Sequence, residues 1–297
     1  MSVKYRVWKV RRDGVSQRYR VAPTREHNDA VTAVMSGDLA KARSRKKQEL
    51  ARQFLQVPSV QESVYRSLVR QYEETNSTDA KPMLFLKYYL SHGHPEAESL
   101  LVRLATEPSN LHVRASAVLT MTLSTNPRVP RLLREVADKA PNEWTARFAI
   151  GKLASYLFIT MQDMIGKGIT PAREAVLDAM EALGIALQGK WGSLEGEITF
   201  ILAALDYERW KFEKAAHGQI PTRVEKTVID GLMSLLSSGD LSTEVFDRTL
   251  IVIKEWRSEY ALSKLRSYLS GSLPHERRAK VLVAIQEIEH RSKRKSR

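Results

Sequence analysis

Apolar positions fall into two regimes along the chain. The first is β-like: Val3 to Val10 and Val15 to Val21 are runs rich in Val, Tyr, Trp and Arg that flank Asp13-Gly14. An Asp-Gly pair between such runs is a strong short-range signal for a β-hairpin. A two-residue turn sets Trp8 opposite Tyr19 with Val10 on their side, and leaves Lys9, Arg11, Arg18 and Arg20 on the other side. After Pro23 the spacing becomes helical and stays so. The pattern predicts helices over 26–36, 38–56, 59–75, 79–91, 95–106, 110–124, 127–139 and 142–158, then over 171–188, 194–216, 222–237, 241–256, 258–270 and 274–290.

Several predicted starts carry capping chemistry. Ser59-Val60-Gln61-Glu62 has the spacing of a capping box, in which Ser59 and Glu62 satisfy each other's free backbone donors. Thr170-Pro171 sets a cap before a first-turn proline, and Gly239-Asp240 closes one helix while opening the next. The short connections between these helices predict antiparallel neighbours.

The central third also repeats. Leu111-His112-Val113-Arg114-Ala115-Ser116-Ala117 corresponds to Glu143-Trp144-Thr145-Ala146-Arg147-Phe148-Ala149, and the two arginines stand 33 residues apart. Pro108 recurs as Pro141 after 33 residues, and Pro95 with Leu100-Leu101 recurs as Pro127 with Leu132-Leu133 after 32. Arg248 and Arg278 open similar apolar helices 30 residues apart. A two-helix unit of this length cannot bury its apolar stripe alone, so the period predicts a stack of hairpins.

The segments HVRASAVLTM and WTARFAIGKL resemble the second helix of HEAT-type repeats, which often reads Val-Arg followed by small residues and Leu. The resemblance covers 79–158 most closely and 221–290 loosely, and leaves 159–220 as longer, irregular helices. It implies an all-α fold, an α-solenoid of antiparallel helix hairpins, preceded here by the short N-terminal β-hairpin. The expected division is a basic hairpin arm over 1–23, a helical-repeat body over 24–290 and a basic disordered tail over 291–297. Such solenoids serve as protein scaffolds, nucleic-acid binders and, in the alkylpurine DNA glycosylases, enzymes, so the fold does not choose a function.

Charge narrows the choice. The net charge is +13, yet residues 1–52 hold 14 Lys/Arg against 5 Asp/Glu and residues 277–297 hold 8 against 2, so the ends carry +9 and +6 and the middle −2. Charge blocks at chain ends are interaction arms, and a polyanion is the default partner of positive ones. With no cysteine, disulfides, thiolate metal sites and cysteine nucleophiles are excluded. No stretch approaches the roughly 18 apolar residues of a membrane span and no signal-peptide core follows Met1, so a cytoplasmic location without a membrane partner is expected.

Catalytic signatures are absent: no P-loop, Rossmann glycine fingerprint, nucleophile elbow or zinc-protease helix occurs. His92-Gly93-His94 reads as a helix-ending turn, not a metal site, because no third ligand lies near. Glu143, Trp144 and Arg147, with Asp138 upstream, resemble the Trp, Asp and Arg sites of helical-repeat glycosylases only in outline. Arg147 reads more economically as a repeat-stabilising arginine and Trp144 as a packing residue. Trp191, in the glycine-bracketed Gly189-Lys190-Trp191-Gly192-Ser193, reads either as a plug between helices or, like Trp8, as a candidate for base stacking. Trp210 and Trp256 read as core or seam residues.

The expectation is therefore a non-catalytic, cofactor-free protein that binds DNA or RNA. Phosphates are expected to be contacted by Lys9, Arg11, Arg18 and Arg20 on the hairpin, by Arg43, Arg45, Lys46 and Lys47 on the helix over 38–56, and by Lys293, Arg294 and Lys295 in the tail. The first alternative is a protein-interaction scaffold, the second a DNA glycosylase of the HEAT-like kind.

Overall fold

The computed structural model describes residues 7–12, 15–20, 55–75, 81–168, 170–192, 194, 196–214, 220–239, 241–256 and 258–295. The helices expected over 26–36 and 38–56 lie outside the described residues. Contacts divide the chain into two units, Met1–Asn126 and Pro127–Arg297.

In the first unit, strands β1 (Val7–Arg12) and β2 (Val15–Arg20) pair antiparallel, with Trp8 opposite Tyr19 and Lys9 opposite Arg18. Four helices follow: α1 (Pro58–Thr75), α2 (Lys81–Ser91), α3 (Pro95–Thr106) and α4 (Leu111–Thr122). Helices α3 and α4 form a hairpin, α1 lies along α3, and α2 lies along both. Val64 and Leu68 of α1, Leu86 and Leu90 of α2, Leu101 and Leu104 of α3, and Val113 and Val118 of α4 are all fully buried.

The second unit is also helical throughout its described residues: α5 (Val129–Lys139), α6 (Glu143–Ser155), a π turn (Tyr156–Thr160), α7 (Met161–Gly166), α8 (Arg173–Leu187), α9 (Ile198–Lys214), α10 (Thr222–Ser237), α11 (Thr243–Trp256), α12 (Glu259–Leu269) and α13 (His275–Lys295). Contacts arrange most of them in two rows. Along one row α5 touches α8, α8 touches α10 and α10 touches α12; along the other, α6 touches α9, α9 touches α11 and α11 touches α13. Each first-row helix also packs on its successor or near-successor in the second row, so α5·α6, α8·α9, α10·α11 and α12·α13 are paired hairpins.

The seams of the first row combine close backbone approach with charge pairing. A methyl group at Gly231 would stand 2.2 Å from the Gly184 carbonyl oxygen, and one at Gly184 would meet the Thr227 carbonyl and Val228 Cα at 2.8 Å. Glycine in both helix interiors is thus what lets α8 and α10 lie so near. Ion pairs stitch successive helices: Arg131–Asp178 at 2.6 Å, Arg223–Glu181 at 2.9 Å and Lys264–Asp230 at 2.8 Å.

Several local expectations are corrected. Helix α1 begins at Pro58, and the Glu62 carboxylate accepts from Arg66 Nε at 2.8 Å and from Arg103 Nη1 at 3.1 Å; two guanidiniums bind it better than a backbone amide would. Side-chain caps are described at other helix starts. Asn110 Oδ1 accepts from His112 N at 2.8 Å and Asn142 Oδ1 from Thr145 N at 2.9 Å, 32 residues apart like the repeat itself, and Ser258 Oγ accepts from Ala261 N at 3.1 Å. Thr170-Pro171 precedes α8, whose N-cap is Ala172.

The helix expected over 142–158 instead runs through the π turn to Gly166. Ser155 Oγ donates back to the Gly151 carbonyl at 3.0 Å, a bond that competes with the helical ladder just where the wider turn begins. No glycine or proline interrupts 152–165. At the C-terminus, α13 reaches Lys295, so most of the stretch expected as a disordered tail is helical backbone. Cations suit a helix C-terminus, where the helix dipole is negative.

Candidate functional face

The second row of the second unit carries the most developed surface among the described residues. Its helices present exposed apolar side chains: Trp144 on α6, Ile159 on the π turn, Ile251 on α11, and Leu282 and Val283 on α13. Two grooves run between these helices. One, of about 510 Å³, lies between α9 and α11 and is lined by Leu202, Ala203, Val245, Arg248 and Ile251 among others. The second, of about 360 Å³, lies between α11 and α13 and is lined by Leu250, Ile251, Lys254, Lys280 and Val283 among others.

Most charges at the groove rims are matched within the row. Lys280 pairs with Asp247 at 2.9 Å, Lys254 with Glu287 at 3.0 Å and Arg248 with Asp206 at 3.5 Å. Hydrogen bonds donated to the carboxylates of Asp247 and then Glu276 raise the Lys280 ammonium above its ordinary range, so it stays charged. Burial raises the Asp206 carboxyl, with Arg248 opposing that shift. Such grooves offer apolar contact with little uncompensated charge.

A different surface is built on α6. Spacing of four residues puts Trp144, Phe148 and Lys152 on one line along the helix. The Trp144 and Phe148 rings stack with centroids 4.9 Å apart and planes 9° from parallel, and Lys152 Nζ stands 5.2 Å from the Phe148 centroid. Trp144 is 43% exposed, which corrects its reading as a packing residue. Position decides this: Trp144 follows the cap by two residues, whereas the buried side of the turn is taken by Thr145 and Ala146. Between the two rings in sequence, Arg147 pairs with Glu197 at 3.3 Å and does stitch α6 to the start of α9.

Trp191 is corrected as a stacking candidate. It is buried, its Nε1 donates to Asp138 Oδ1 at 3.2 Å, and Lys190 Nζ both stands 4.9 Å from its ring and reaches the same carboxylate oxygen at 2.7 Å. The loop closes a polar clamp on the end of α5 and leaves the indole no free face for a base. Trp256 is in the core. His92 Nδ1 lies 2.7 Å from the Tyr88 carbonyl and its ring rests on Tyr88 at 4.2 Å, next to Gly93 at φ +74°. Among the described residues no cluster of three or more His, Asp or Glu could hold a metal ion, and no helix is long and apolar enough to cross a membrane.

Of the residues expected on phosphates, Lys9 and Arg11 fall in β1, Arg18 and Arg20 in β2, and Lys293, Arg294 and Lys295 in the last turn of α13. By register, positions 9, 11, 18 and 20 share one face of the ribbon and positions 8 and 19 the other. Arg43, Arg45, Lys46 and Lys47 lie outside the described residues.

The chain matches no family model and no curated protein by sequence. Among solved structures it is similar to human deoxyhypusine hydroxylase in complex with glycerol, at 12% identity and a TM-score of 0.26, over 90% of this chain and 98% of that one. A likeness of that degree is a loose one between helical folds and says nothing of activity.

Proposed function

We propose that the protein is a non-catalytic, helical-repeat solenoid of the cytoplasm that binds nucleic acid through its basic ends. The observation that carries the reading is where the uncompensated charge lies. Within the body, Arg131, Arg147, Arg223, Arg248, Lys254 and Lys264 are each matched to a carboxylate. The surplus sits instead in residues 1–52 and 277–297, at +9 and +6 by sequence. Lys and Arg on phosphates supply affinity without reading sequence, since base edges carry that information. The hairpin, the basic stretch around Arg43 to Lys47 and the end of α13 are the assigned contacts.

Electrophoretic mobility shift of the full chain with duplex DNA, single-stranded DNA and RNA across a salt series tests the class directly. Binding to generic sequences at low salt that weakens steeply as salt rises is expected; no binding to any of them at about 50 mM salt would overturn it. The scaffold reading draws on the two charge-matched apolar grooves of the second row, which suit an uncharged partner surface better than a phosphate. For a glycosylase, by contrast, a carboxylate facing an aromatic cleft is needed, and Asp138 is engaged by Lys190 and Trp191.

A further inference from the structure

We infer that the Trp144–Phe148–Lys152 column on α6 is a stacking site for an unpaired nucleobase, so that the protein grips single strands more tightly than duplex. The inference deepens the nucleic-acid reading above and rests on it.

An indole 43% exposed at the start of a helix, stacked on Phe148, presents an aromatic face to water. Its orientation is set by the parallel stack on Phe148, with centroids 4.9 Å apart, which covers one face of the indole and leaves the other free. The Lys152 ammonium polarises the far end of the same column, 5.2 Å from the Phe148 centroid. Lys152 enters no ion pair among the described residues, in contrast to Arg147 beside it, which is spent on Glu197. The neighbouring carboxylate of Glu143 lies against Gly192 of the 188–192 loop, where a methyl group would meet Glu143 Oε1 at 2.2 Å.

A flat aromatic face followed by an unmatched cation is complementary to a single strand: a base covers the Trp144 ring and a phosphate further along the strand meets the ammonium. Every base has such a face, so the contact is tolerant of sequence. Bases inside a duplex are already stacked and paired, and present only their edges. The column therefore discriminates single strands from duplex, while the basic ends bind both.

The test uses the full chain, as wild type, Trp144→Ala and Trp144→Phe, with three probes of equal length: a single-stranded oligothymidine, an abasic strand carrying the same phosphates, and a duplex. Stacking removed by alanine lowers single-strand affinity about 5- to 100-fold while duplex affinity holds. Phenylalanine restores most of the loss. The wild type binds the abasic strand no better than Trp144→Ala binds the oligothymidine, and indole fluorescence quenched by the oligothymidine is reduced in Trp144→Phe. Equal single-strand affinity of wild type and Trp144→Ala overturns the inference, as does an abasic strand bound as tightly as one with bases. In either of those cases, retained binding leaves the basic-end reading standing. No affinity of the wild type for any of the three probes overturns both, and turns the column over to a protein partner.

Discussion

Gly231 and Gly184 touch across the seam of α8 and α10, and the contact leaves no room for a β-carbon on either side. Gly231→Ala therefore pushes two helices apart. Its helix propensity gains about 1 kcal/mol, but overpacking of a close seam costs about 1–3 kcal/mol, and the obstruction here is rigid backbone. A net loss of stability in urea unfolding is expected, and a gain would show that the seam yields. Acid stability carries a second residue-scale prediction. Arg66 and then Arg103 hold the Glu62 carboxyl below its ordinary 4.5. Its contribution is therefore complete above 4.5 and fades as pH falls through the lower folded value, so Glu62→Gln should flatten the stability profile below 4.5 and leave the wild-type slope above it unchanged. Single residues were the hardest part to read from sequence. Trp144 and Trp256 sit in similar helical contexts, yet one is exposed and the other in the core, because burial depends on which neighbour covers a face. The i, i+4 spacing of Trp144 and Phe148 was the one available sign of a surface aromatic pair.

Elements were far more legible. Apolar spacing with flanking proline and glycine located α3, α4, α5, α10, α11 and α12 to within a few residues, since those residues punctuate the backbone directly. The misses lie at helix ends: α6 continues into the π turn, where Ser155 bonds back to the Gly151 carbonyl, and α13 reaches Lys295, where basic residues suit the helix C-terminus. Glu62 is engaged by guanidiniums that only the fold brings near, as Arg103 is from 41 residues away, and spacing alone does not show them. The repeat itself points to the caps that matter. Asn142→Ala removes the acceptor for Thr145 N, and a loss of about 1 kcal/mol in chemical unfolding is expected; a loss near zero would mean solvent replaces the cap at no disadvantage.

For the whole molecule, the two-row arrangement of the second unit and the placement of net charge point the same way: a neutral, internally stitched body with positive ends. Removing residues 1–22 and 291–297 takes away twelve Lys/Arg and one Asp, or +11 of the net +13. Most nucleic-acid affinity should go with them. Helicity by circular dichroism should stay close to that of the full chain, since the caps and buried stripes of α1 to α12 are untouched and only the last turn of α13 is lost. Truncated protein that binds as tightly as the full chain would take the arms out of the interface. Truncated protein that fails to fold would place Trp8, Val10 and Tyr19 in the core.

The most direct measurement of the charge argument is the slope of log binding constant against log salt for the full chain on an oligonucleotide. Counterion release contributes about −0.9 per phosphate contacted on duplex and about −0.7 on a single strand, so contacts from both ends together should give a slope of about −4 or steeper. Affinity that is flat across the salt series would contradict a role for the basic ends, however tightly the oligonucleotide is bound.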